Sequence, residues 1–172
     1  MALSAKLTAV LSAVQTGAND FGTPAFSPNI AYLLDLASGV GAGQADQIWM
    51  DERTLASNTA DLLNLTSGLV DAFGITIPIV KLTGLLLINA PRVGAANTTD
   101  ITLGGTGNTV AGIMGTAASS IGPLRPGSFL FMGASALAGI ATVVPSTGDL
   151  LRIANAAGAA ATYQIVLIGK SA

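Results

Sequence analysis

The chain has 172 residues, of which only 9% are charged and 51% are hydrophobic, and its formal net charge is −2. It contains neither cysteine nor histidine, which excludes disulfides, thiolate or imidazole metal sites, and any mechanism that uses either side chain. The seven basic residues occur singly along the chain. Because binding to nucleic acid needs clustered lysine and arginine, we expect no nucleic-acid partner.

The low charge predicts self-association. Ordinary globular proteins contain about 25% charged residues, so this chain has too few to cover its own surface. Neighbouring subunits are the simplest cover. We therefore expect a homo-oligomer, either a dimer or a trimer.

A membrane-spanning helix is not expected. The most apolar window, residues 75–91, is interrupted by Pro78, Lys81, Gly84 and Asn89. It is also shorter than the roughly 20 continuous apolar residues that a spanning helix needs. We predict no membrane partner.

Residues 1–46 are predicted to form an N-terminal arm that contains one or two short helices. The first helix is indicated by apolar residues at helical spacing: Leu3, Leu7, Val10, Leu11 and Val14. The same segment also partly alternates, so an extended arm remains possible. These five residues are the predicted contact surface of the arm, which we expect to dock on a neighbouring subunit.

A second helix is predicted to begin at Ser27-Pro28, because serine is a good N-cap and proline is tolerated at the first helical position. Its apolar stripe would be Ile30, Leu33, Leu34 and Ala37. The glycine-rich stretch SGVGAGQ, residues 38–44, follows as a linker. We place the domain boundary after residue 46.

Residues 47–172 are predicted to form a β-sandwich domain, since apolar residues now alternate and the turns are rich in Gly, Asn, Ser, Pro and Thr. Short strands without a convincing helix are typical of an antiparallel β-sandwich or jelly roll. Gly84 inside a long apolar strand predicts a bulge. The candidate strands are 47–55, 60–65, 79–90, 99–103, 108–113, 128–133, 140–144, 149–155 and 161–169.

The last strand is apolar on both faces. Tyr163, Ile165 and Leu167 lie on one face, and the other carries Val166 and Ile168 with a glutamine. One face of an antiparallel sheet normally meets water. We therefore predict that the arm or another subunit covers Val166 and Ile168.

The stretch QADQIWMDERTLAS, residues 44–57, holds the only tryptophan and the only glutamate. We predict that Ile48 and Met50 face the core, whereas Trp49 points outward with Asp51 and Arg53. Tryptophan and arginine are enriched at interface hot spots, so Trp49 and Arg53 are predicted interface residues. A solvated or ion-paired strand end is the alternative.

No catalytic, cofactor or metal site is predicted. Asp51 and Glu52 are adjacent, but neighbours on a strand point to opposite faces and cannot act together on one substrate. The glycine-rich LGGTGNT, residues 103–109, lacks the Lys-Ser/Thr and the helix of a phosphate-binding loop. The other aspartates occur singly, without calcium-site spacing.

Three stretches resemble small β-rich virion structural proteins of tailed bacteriophages: DERTLASNTADLLNLTSGLVDAFG (51–74), RPGSFLF (125–131) and TGDLLRIANAAGAAATYQIVLIGKSA (147–172). The resemblance covers most of residues 45–172, and the arm more loosely. It implies a non-enzymatic capsid decoration or cement subunit that clamps neighbouring capsid subunits, located in the virion after assembly in the host cytoplasm. Its implied partners are further copies of itself and other virion proteins, above all the major capsid protein. A tail, baseplate or fibre component is the alternative.

Overall fold

The computed structural model describes residues 2–116 and 118–172. Within these residues the protein is mainly β, with several antiparallel sheets and a single 3-10 turn at Ala111–Ile113. The strands in chain order are β1 Ala5–Ser12, β2 Gln15–Thr16, β3 Ala25–Phe26, β4 Asn29–Ser38, β5 Gln44–Ala45, β6 Gln47–Leu55, β7 Ala60–Asn64, β8 Leu69–Val70, β9 Thr76–Ile77, β10 Lys81–Ile88, β11 Ile101–Gly104, β12 Ser120–Leu124, β13 Phe129–Gly133, β14 Ala141–Thr142, β15 Leu150–Asn155 and β16 Ala161–Lys170.

The large sheet has the strand order β13-β10-β16-β6, and β14 also pairs with β10. Its two longest ladders join β16 to β10 and to β6, and both are antiparallel. The register shifts between Leu82 and Gly84, which confirms the predicted irregularity at Gly84. β6 and β13 are the edges of this sheet.

The small sheet has the order β12-β11-β15-β7 and shares one hydrophobic core with the large sheet. Alternation along each strand sends every second side chain into that core. The large sheet contributes Trp49, Leu85, Leu87, Ile165 and Leu167, and the small sheet contributes Leu63, Ile101, Leu103, Leu151 and Ile153. The aliphatic and aromatic residues of both sheets thus bury one another.

The arm contains no helix in its described residues, so both helices predicted there are wrong. β1 and β4 pair over eight residues, from Ala5 opposite Leu36 to Ser12 opposite Asn29. β2 and β3 extend the hairpin. The physical reason is burial: alternation places Leu7, Leu34 and Leu36 on one face, which packs on the large sheet at the root of the arm, whereas a short helix without such packing is marginal.

Two predictions in the second half also need correction. Residues 108–113 were expected to form a strand but contain the 3-10 turn, where Gly112 lies so close to Ala141 that a Cβ on Gly112 would be 2.7 Å from the alanine Cβ. Three short strands, β8, β9 and β12, were not expected, and β12 contains Gly122 and Pro123, which are unfavourable strand residues. The other eight predicted strands overlap observed ones, and β6 has the predicted bounds.

The arm is joined to the large sheet by a tight glycine-rich connection. β5 pairs in parallel with the end of β4, and the Gly43 N–H donates to the Ser135 carbonyl at 2.7 Å. Gly43 has a φ of 66°, a left-handed conformation that favours glycine. The domain boundary after residue 46 stays a prediction.

Candidate assembly surface

One face of the arm hairpin is apolar along the paired length of β1 and β4. The cross-strand pair Leu7 and Leu34 lies near the root of the hairpin and is buried. On the same face, two positions further along each strand, Ala9 is opposite Tyr32, and Leu11 is opposite Ile30. These four side chains are exposed, and we call them the arm face. The apolar face therefore continues beyond the part that the chain itself covers.

The opposite face of the arm is more polar. Lys6 and Asp35 form an ion pair there with an N–O distance of 3.5 Å, and Ser12 lies opposite Asn29. Further along, the same face also carries Val10, Ala31 and Leu33. The hairpin is therefore amphipathic at its root, where its apolar side is turned toward the large sheet.

Two glycines form the seat for the root of the arm. Gly84 of β10 and Gly133 of β13 are cross-strand partners. A Cβ on Gly84 would lie 2.8 Å from Leu7 Cδ2, and one on Gly133 would lie 3.0 Å from Leu7 Cδ2 and 3.1 Å from Leu34 Cδ2. Because such contacts are too short for ordinary packing, the missing side chains let both leucines approach the sheet closely.

Beside this seat runs a row of apolar side chains on the outer face of the large sheet. Met50, Val166, Leu86 and Phe131 are consecutive cross-strand partners on β6, β16, β10 and β13, and we call them the outer row. The arm root covers the neighbouring Ile168 but only borders this row. A groove of about 400 Å³ lies between the arm root and most of the row.

The rest of the arm projects from the body. From residue 8 to residue 33 only Pro28 is even half-buried. Phe21 sits fully exposed at the tip, in a turn where its N–H donates to Asn19 Oδ1 at 2.9 Å. The large apolar side chains that are more than half exposed on this segment are Val10, Leu11, Val14, Phe21, Phe26, Ile30, Tyr32 and Leu33.

The structure brings together only part of the interface set predicted from the sequence. Leu3, Leu7, Val166 and Ile168 meet where the arm root packs on the outer face of the large sheet. This confirms that the arm covers Ile168. The other predicted arm residues, Val10, Leu11 and Val14, lie on the projecting part.

The predicted orientation of Trp49 is wrong. Its side chain is 5% exposed and belongs to the core, whereas Met50 is 62% exposed. Trp49 is the cross-strand partner of Leu167, so it shares the face that meets the small sheet. The larger apolar ring buries more area on that side than a methionine would. Ile48 and Met50 occupy the outer face instead.

Arg53 lies on the core side with Trp49 and forms an ion-paired cluster. Its Nε donates to Asp51 Oδ2 at 2.8 Å, and one terminal nitrogen donates to Asp61 Oδ2 at 2.7 Å. The Tyr163 hydroxyl donates to the same Asp61 oxygen at 2.8 Å. The guanidinium stands 5.5 Å from the centroid of the Trp49 ring, within the range of a cation–π contact.

The pKa shifts in this cluster arise from burial and from the hydrogen bonds among its own members. Burial alone would raise the pKa of Asp61, but hydrogen bonds from Arg53 and Tyr163 hold it below its ordinary value. Burial raises the pKa of the Tyr163 hydroxyl, and its bond to Asp61 raises it further. Burial would lower the pKa of Arg53, yet its bonds to Asp51 and Asp61 outweigh burial and raise it. The groups therefore satisfy one another and form an ion-paired strand end.

A second concavity, of about 450 Å³, lies along the free edge of β6. Trp49, Met50 and Phe73 supply apolar walls. Its carboxylates are already engaged: Asp71 accepts the N–H groups of Phe73 and Ile75, and Asp46 accepts from Ser171. These contacts shape the loops that border the cleft.

Lys170 is a buried cation, and no carboxylate among the described residues pairs with it. Its Nζ donates to the carbonyl oxygens of Ala136 and Leu137, each at 3.0 Å. Burial lowers the pKa of Lys170, and the nearby Lys81 lowers it further. The side chain ties the C-terminal strand to the loop after β13.

Across residues 2–116 and 118–172 no group of three or more acidic side chains is arranged to hold a metal ion. Nor does that part of the chain contain a helix long and apolar enough to cross a membrane. Comparison with protein-family models, curated proteins and solved structures finds no match to this chain.

Proposed function

We propose that this protein is a non-enzymatic structural subunit of a tailed-bacteriophage virion, with a β-sandwich or jelly-roll domain. Its role is capsid decoration or cementing: copies self-associate and clamp neighbouring capsid subunits. The resemblance of residues 51–74, 125–131 and 147–172 to such virion proteins names the class. The observation that carries an assembly role is the projecting apolar arm.

The physical argument starts from the stability of the arm. A two-stranded hairpin is marginal in water unless something packs on it. Burying one large aliphatic or aromatic side chain is worth about 1.5 to 3 kcal/mol, and residues 8–33 leave several of them in solvent. Apolar surface of this extent marks a binding surface. The arm is therefore suited to a partner in an assembly.

The remaining surface supports the same role. The shared core of the two sheets favours a sandwich that can act as a rigid base. Arg53, Asp51, Asp61 and Tyr163 are hydrogen-bonded to one another, which favours a structural function for this cluster over catalysis. The partners we propose are further copies of this chain and the major capsid protein, in virions assembled in the host cytoplasm, without a nucleic-acid or membrane partner.

Labelling of purified particles tests this function. Antibodies raised against residues 47–172 and coupled to gold would be imaged on virions of the phage that encodes the protein. We expect gold over the head shell. Gold on the tail or baseplate would select the alternative tail or fibre role, and purified virions that lack the protein altogether would contradict both.

A further inference from the structure

We propose that the occupant of the arm face is a second copy of this chain, and that the arm face of each copy lies across the outer row of the other. The arm face is Ala9, Leu11, Ile30 and Tyr32, and the outer row is Met50, Val166, Leu86 and Phe131. The inference deepens the proposed function and rests on it only for self-association.

Continuity with the packing inside one chain is the first argument. The arm root already binds the outer face of the large sheet, through Leu7 and Leu34 over Gly84 and Gly133. The arm face is the direct extension of that root along the hairpin. The outer row is the next cross-strand row beyond the one containing Ile168. The arm and the outer face of the large sheet therefore already pack together within one chain, and both continue into apolar side chains that this packing does not cover.

The exposed area agrees with that of a stable interface. At about 150 to 250 Å² for each aromatic side chain, the exposed fractions of Phe21, Phe26 and Tyr32 amount to roughly 450 Å². Leu11 and Ile30 of the arm face add to this area, whereas Val10 and Leu33 lie on the opposite face of the hairpin. A standard protein interface buries about 800 Å² on each partner, and in the proposed contact each copy contributes both an arm face and an outer row.

The scarcity of charge on the arm and on the outer row favours a second copy of this chain as the partner. Between residues 8 and 33 the only charged side chain is Asp20, and the outer row has none. A contact between these surfaces buries no unpaired charge, which would otherwise be costly. A partner surface rich in charge would gain nothing here, whereas a second copy supplies the required apolar surface.

The length of the arm and the width of the large sheet allow the arm of each copy to dock on the other. Strands rise about 3.3 Å per residue, so residues 9–16 extend roughly 26 Å, while a sheet of four strands spaced about 4.8 Å apart is roughly 14 Å across. The arm can thus cross the outer face of a neighbour completely. Reciprocal docking uses the same two surfaces on both copies and closes a twofold dimer.

Cysteine cross-linking tests this contact directly, because the chain has no native cysteine. Ala9→Cys places a thiol on the arm face, and Met50→Cys places one on the outer row. Ala31→Cys is the matched control, since Ala31 pairs with Val10 on the opposite face of the same hairpin and is also exposed. Ala9→Cys or Ala31→Cys would be co-expressed with Met50→Cys under distinguishable tags, so that mixed pairs can form as the chains assemble. The purified mixture would then be oxidised.

We expect the Ala9→Cys and Met50→Cys mixture to form the covalent heterodimer at least about tenfold faster than the control mixture, because docking raises the effective thiol concentration from micromolar to roughly millimolar. Equal rates, or no heterodimer in either mixture, would overturn the proposal and leave a different protein as the occupant. If head labelling succeeds while cross-linking fails, the virion function stands without this contact. If cross-linking succeeds while virions carry no label, the contact between copies stands without the virion function.

Discussion

Gly133 fixes the position of the arm through the side chain that it lacks. In Gly133→Val the new side chain would meet Leu7 and Leu34, and overpacking of this kind costs about 1 to 3 kcal/mol. We expect the arm root to lift, with faster hydrogen exchange at the β1 amides and a lower free energy of unfolding. Gly107→Val is the control, because a Cβ there meets nothing within 4 Å. If both changes had the same effect on β1 hydrogen exchange and on the free energy of unfolding, Gly133 would not be the seat of the arm root.

Trp49 and Met50 are neighbours with opposite roles in the fold. Trp49→Ala empties part of the core between the two sheets and should cost about 3 to 5 kcal/mol of unfolding free energy. Met50→Ala removes a mostly exposed side chain and should cost far less within one chain. Denaturant unfolding at low protein concentration compares them. The assignment of faces fails if Met50→Ala is the more damaging change.

Asp61 should make stability depend on pH in the acid range. Its folded pKa lies below its ordinary value of 3.8, so its contribution is complete above that value and is lost as the pH falls through the folded pKa. Asp61→Asn should lose about 1 to 2 kcal/mol near neutral pH, a modest figure because Arg53 is partly exposed. Urea unfolding at about pH 7 and about pH 3 should show this difference shrinking in acid. A difference that does not change with pH would contradict the ion-paired cluster.

The sequence could not assign the faces of β6 because both of them mix apolar and polar side chains. Ile48 and Met50 alternate with Trp49, so alternation gives the period and not the side that meets the small sheet. Similarly, Asp61 lies on another strand, and nothing in its sequence position indicates that it pairs with Arg53. Which face of β6 is buried, and which carboxylate pairs with Arg53, depends on contacts between strands that are distant in the sequence.

At the level of elements, the projecting part of the arm should be removable. Thr8 and Leu33 are cross-strand partners, so residues 9–32 can be replaced by Asn-Gly, which favours a two-residue hairpin turn. The arm root and the seat remain. We expect the shortened protein to keep its thermal stability as an isolated chain and to lose self-association.

Circular dichroism melting and light scattering measure both properties of the shortened protein, with the intact chain as the control. Loss of cooperative unfolding would show that residues 9–32 belong to the core of the chain. A shortened protein that still forms the oligomer of the intact chain would place the interface elsewhere.

The alternation of apolar residues predicted most strands of residues 47–172. It predicted β6, β15 and β16 closely, since each of them has one face in the shared core. The arm could not be assigned in this way. Leu3, Leu7 and Leu11 fit both a helical and an alternating pattern, and the choice is made by Gly84 and Gly133, more than seventy residues away. Long-range packing of this kind overrides local propensity.

For the whole molecule, the arm face and the outer row lead to one claim: the chain exists as an oligomer in which arms are exchanged. Sedimentation equilibrium of the intact protein at micromolar concentration is the most direct measurement. We predict the mass of a dimer, because reciprocal docking of two arms closes a twofold pair. A soluble, monodisperse species with the mass of the single 17.0 kDa chain would contradict the claim.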